Sequence, residues 1–171
     1  NYVAPDDILT WPGNGELQFG EEKYVAPFVD QNYNGIYEPM LGDYPDIRGD
    51  EAVYFVYNSA QAYSPFFHPN LNIEFHTMAY VFDSAGTPAH NAVFVNQKLI
   101  FKNQAFDTLL YGLFTDFDLG NAIDDVTGCD SLRGIYYAYN GDNHDEGPMG
   151  WGAKPPAAGV LALAAPITGY I

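Results

Sequence analysis

Asp30, Asn32 and Asn34 place three short oxygen-bearing side chains at alternate positions, and Gly35 follows the third. That spacing suits a loop wrapped around a hard cation, because short side chains at alternate residues can aim their oxygens at one centre. Gly35 allows the sharp turn, and the carbonyl of Ile36 can then point inward. Glu38 falls at the ninth loop position. A helical EF-hand would next need a bidentate Glu, but Leu41 stands there and Pro39 opposes an immediate exit helix. The pattern therefore predicts a Ca²⁺ loop on a non-helical scaffold, closed by a later carboxylate. Asp43 is the expected closing group, with Asp46 and Asp50 as the other candidates.

A second acidic region has the same chemistry with looser spacing. Asp116 and Asp118 are followed by the pair Asp124 and Asp125, and later by Asp142 and Asp145 in Asn140-Gly-Asp-Asn-His-Asp145. Oxygen donors on two such segments could share one ion. The alternative is that each Asp or Asn caps its own turn without metal. Of 22 acidic residues, six lie between Asp30 and Glu51 and eight between Asp116 and Glu146. Carboxylates that crowded repel one another unless a cation intervenes. Two Ca²⁺ would change the formal net charge from −16 to −12.

Other chemistries find less support. His68, His76, His90 and His144 stand in no zinc spacing, and no nucleophile elbow, P-loop or dinucleotide fingerprint occurs. His76 reads as a packed or surface histidine. Cys129 is the only cysteine, so no intrachain disulfide can form, and Gly128-Cys129-Asp130 reads as a turn with a buried thiol. Glu74 with Asp116 or Asp118 is the best pair for a glycosidase. Trp11, Trp151, Tyr136, Tyr137 and Tyr139 could stack on sugar faces, although strand aromatics usually belong to a core.

The elements that must carry these residues are strands. Ala52 to Asn58 is an aromatic and β-branched run. Leu71 to Asp83 alternates, with Ile73, Phe75, Thr77, Ala79 and Val81 on one face and Glu74, His76, Met78 and Tyr80 on the other. Asn91 to Lys102, Thr108 to Thr115 and Gly134 to Asn140 are further strands, and Ser84 to Pro88 is a turn. No segment has the pattern of a long amphipathic helix. The expected fold is all-β: an antiparallel β-sandwich, jelly-roll or immunoglobulin-like, with long calcium-binding loops and an irregular N-terminal arm. The arm is expected over 1–51 and the sandwich over 52–171, as one integrated domain.

The chain has 171 residues, enough for a substantial core, and 47% are apolar. Only six Lys and Arg stand against 22 acids, a balance that repels nucleic acid and anionic membranes and makes both poor partners. The longest apolar run, Ala157 to Ala165, is too short to span a bilayer. The start at Asn1 and the apolar end at Ile171 lead us to expect an excerpt of a longer protein.

The run from Ala26 to Pro39, then Gly42 to Asp50, resembles a module of large secreted proteins of Bacteroidetes-type bacteria. The resemblance continues at Asp116 to Gly120, Asp124-Asp125, Gly128 to Asp130, Tyr139 to Asp145 and Pro155 to Gly159. Such proteins commonly carry a type IX secretion sorting domain, which this sequence lacks. The resemblance implies a secreted or cell-surface location and brings no activity. The expectation is a calcium-stabilised structural or adhesive module, not an enzyme. Its partners would be other domains of the same protein, neighbouring subunits or glycans. A glycan-binding module is the alternative, and a secreted hydrolase comes third.

Overall fold

The computed structural model describes residues 3–13, 15–59, 71–102 and 105–164. His68 lies outside them. The chain divides into two compact units, Asn1–Thr108 and Leu109–Ile171. Among the described residues, antiparallel strands dominate both. The only α-helix described is the five-residue Asp6–Thr10, and no helix is long and apolar enough to cross a membrane.

In the first unit, β1 (Phe28–Val29) pairs with β2 (Tyr44–Pro45) to bracket the Asp30 loop. The next strand is β3 (Glu51–Asn58). β3 pairs with β4 (Ile73–Val81), which pairs with β5 (Phe94–Phe101), so β4 is the central strand. The register sets Tyr54 opposite Met78, and His76 opposite both Val56 and Lys98. The predicted alternation along β4 holds, and both of its faces are buried: Ile73 and Thr77 on one, Glu74, His76 and Met78 on the other.

In the second unit, β7 (Ile135–Asn140) lies between β6 (Asp125–Asp130) and β10 (Ala157–Leu161). A two-stranded ribbon joins β8 (His144–Asp145) to β9 (Gly152–Ala153). Two local expectations fail here. The strand over 108–115 does not form; the segment has no ladder partner, and Leu110 and Phe114 are about 90% exposed. Strand propensity supplies no partner edge by itself. Conversely, Gly128-Cys129-Asp130 is the end of a strand, not a turn, and Cys129 is exposed. The reason lies across the ladder: the Tyr137 ring covers Gly128 so closely that a Cβ there would meet it at 2.8 Å.

Candidate functional site

The Asp30 loop is organised around its own oxygens. Asp30 accepts the N–H groups of Tyr33 and Gly35, each at 2.7 Å. Asn32 Oδ1 accepts from Asn34 N (3.0 Å), and Asn34 Oδ1 accepts from Ile36 N (2.7 Å). The Asn34 amide donates to Glu38 Oε2 at 2.6 Å, and the Asn32 amide reaches the same oxygen at 3.4 Å. Asp43 is 3% exposed. Its two oxygens accept Gln31 N (2.9 Å) and Glu38 N (2.7 Å), so it joins the two ends of the loop. Asp46 and Asp50 have other roles: Asp46 lies 3.9 Å from Arg48, and Asp50 accepts Asp83 N at 2.7 Å. Pro39–Leu41 is a single 3-10 turn in place of an exit helix.

These contacts are also what capped turns would make. A carboxylate or amide oxygen that accepts one N–H keeps a second lone pair, so the arrangement is compatible with a cation. Among the described residues, no three His, Cys, Asp or Glu side chains form a group that could hold a metal. Amide and main-chain oxygens, half of the expected ligand set of this loop, are a different donor type.

The second acidic region is joined differently from the pairing expected at Asp116 and Asp118. Those two residues are exposed and lie in irregular chain. Asp142 is exposed and caps its own turn, accepting His144 N at 2.7 Å. Asp145 is 1% exposed. It accepts Asn121 N at 3.2 Å and Trp151 N at 2.8 Å, tying the 120–121 bend to the turn before β9. Gly120, at φ +101°, makes room for it: a Cβ there would lie 2.2 Å from Asp145 Oδ2.

Asp124 and Asp125, at the start of β6, face the same region. Asp124 Oδ2 accepts the buried Asn140 amide at 3.0 Å. The second oxygen of Asp124 and one oxygen of Asp125 are buried with no hydrogen-bond partner. Loss of solvent, with the nearby charges of Asp124 and Asp145, pushes the Asp125 carboxyl above the usual carboxylate range.

A polar chain in the first unit was not anticipated as a unit. Tyr54 donates to the Val25 carbonyl at 2.8 Å and lies 2.8 Å from His76 Nδ1. His76 Nε2 lies 2.7 Å from Glu74 Oε1, and Lys102 Nζ lies 2.6 Å from Glu74 Oε2. The β4 alternation already placed Glu74 and His76 on one face. What sequence could not supply was the cross-strand register that brings Tyr54 to them. Desolvation and the Glu74 charge push the Tyr54 phenol up to about 12. A phenol that keeps its proton is a donor and a poor nucleophile, so the chain of contacts fastens the arm to the sheet. Above it lies a cleft of about 500 Å³.

The opposite face of this sheet carries Phe55, Tyr57 and Phe75. Their rings stack on one another, with centroids 6.1 and 4.8 Å apart and interplanar angles of 19° and 7°. Rings at these distances are offset pairs, and Phe55 and Tyr57 stay about 45% exposed. In the glycosidase pair, Glu74 is committed to His76 and Lys102.

Comparison with models of known protein families, with curated proteins and with solved structures finds no match.

Proposed function

We propose that this chain is a calcium-stabilised structural or adhesive module of a secreted or cell-surface bacterial protein of the type IX cargo kind, built as a β-sandwich with calcium loops. The observation that carries the reading is the pair of buried oxygens on Asp124 and Asp125 that have no donor, beside buried Asp145. A buried carboxylate oxygen without a donor is costly, and a hard cation removes that cost. Asp124 and Asp125 would give their donor-free oxygens to one ion, completed by amide, main-chain or water oxygens because no three carboxylates among the described residues are grouped to hold it alone. Asp116, Asp118, Asp142 and Asp145 are the other proposed donors of this region. Asp30, Asn32, Asn34, the Ile36 carbonyl, Glu38 and Asp43 would hold another.

Bound ions would neutralise the acidic surface and fix long loops without disulfides, which suits a calcium-rich medium outside the cell. The partners proposed are adjacent domains, neighbouring subunits or glycans. Isothermal titration of chelator-treated protein with Ca²⁺ tests the reading. Saturable heat is expected, weakened in Asp125→Asn and separately in Asp30→Asn. Heat of dilution alone would refute it.

A further inference from the structure

We propose that the cleft between the arm and the β3–β4–β5 sheet binds an acidic sugar, its anionic group a carboxylate or a sulfate. The chain has only six cationic side chains, and three of them, Lys23, Arg48 and Lys98, line this one cleft. Two of the 22 acids, Glu22 and Asp46, also line it. The lining is thus formally +1 in a protein of net charge −16. Among the described residues neither Lys23 nor Lys98 stands in an ion pair within 4 Å, and Lys23 is hydrogen-bonded to the Tyr24 phenol. Arg48 and Asp46 stand 3.9 Å apart and both are partly exposed, a geometry worth little in water. Lys23 Nζ lies 4.7 Å above the Tyr24 ring, a contact that leaves the ammonium able to meet an anion.

The rest of the lining suits a hydroxylated body. Asn96 offers an amide and Tyr24 and Phe28 offer rings, over a floor in which Tyr54 and His76 are already hydrogen-bonded to Val25, to each other and to Glu74. Tyr24 and Phe28 meet edge to face, at 79° with centroids 5.1 Å apart, and Phe28 meets Tyr37 in the same way at 72° and 5.2 Å. The volume of about 500 Å³ lies in the range of small-molecule sites and accommodates a disaccharide. This proposal concerns a different surface from the acidic loops and does not require bound calcium.

The test is titration followed by NMR, at one fixed calcium concentration, with three probes: digalacturonate, its neutral dimethyl ester and a monosulfated lactose. Digalacturonate, the sulfated sugar or both should shift the signals of Asn96 and Lys98 saturably, at least tenfold more tightly than the ester. Which acid binds tells carboxylate from sulfate recognition. Lys98→Glu and Lys23→Glu should each weaken that binding at least tenfold. Lys154→Glu, an exposed change of the same charge outside the cleft, should leave it within twofold. Equal binding of ester and acid, equal loss in all three variants, or no saturable shift with either anion would overturn the proposal.

Discussion

At the residue scale, Asp43 and Asp125 present opposite electrostatic situations. Asp43 is buried, and each of its oxygens accepts one backbone N–H. Asp43→Ala should destabilise the first unit by about 1–3 kcal/mol, the cost of stranding part-buried donors, seen as a lower melting temperature with or without calcium. Asp125 is part-buried, with one buried oxygen that no donor reaches. Its carboxyl binds a proton more readily in the fold than in the unfolded chain, so without metal it costs stability as pH rises past the ordinary carboxylate value toward the raised one. Asp125→Asn should therefore stabilise chelator-treated protein at pH 7, yet abolish part of the gain that calcium brings. Equal melting shifts in both conditions would contradict this. The turns of the Asp30 loop were legible because the spacing of Asp and Asn along one segment is a local property. The Asp124–Asp125–Asp145 cluster was named residue by residue, but its pairing was not. That pairing depends on the β6–β7 ladder and on the space at Gly120, which no spacing reveals.

At the element scale, β3, β4, β5 and β7 were readable because their alternation or aromatic runs match strand geometry. β6 was missed because Asp-Val-Thr-Gly-Cys-Asp has no apolar alternation; its place comes from pairing with β7. The 108–115 segment failed for the converse reason, having apolar content without a partner edge. The contact of Glu74 with its neighbours belongs to this scale, since it ties β4 to the end of β5. Burial pushes the Glu74 carboxyl up, but hydrogen bonds from His76 and Lys102 outweigh burial and hold it below the usual range. A depressed carboxyl contributes stability that is fully present above its unfolded value, about 4.3. It is lost as pH falls through the lower folded value. Glu74→Gln should flatten that acid limb of the stability profile, measured by denaturant midpoints between pH 5 and pH 2. An unchanged limb would assign the acid sensitivity to other carboxylates. Gly120→Ala should destabilise the second unit by more than about 1 kcal/mol, from the left-handed backbone and the clash with Asp145 together. Thermal melting of that variant checks the figure.

At the scale of the whole molecule, the governing quantity is charge. A formal −16 on 171 residues opposes compactness, and fourteen of the acids fall in two stretches of sequence. The proposed ions would sit one in each compact unit, so each should stabilise its own unit. An ion at about a hundred times its dissociation constant contributes about 2.7 kcal/mol, or roughly 5 to 10 °C for a chain this long. The most direct measurement is the melting curve in excess EGTA against the curve in millimolar Ca²⁺, with Mg²⁺ at equal ionic strength as the control for screening. The account predicts a rise of several degrees with Ca²⁺ that Mg²⁺ does not reproduce and that shrinks in Asp30→Asn and in Asp125→Asn. Superimposable curves in EGTA and Ca²⁺ would contradict it.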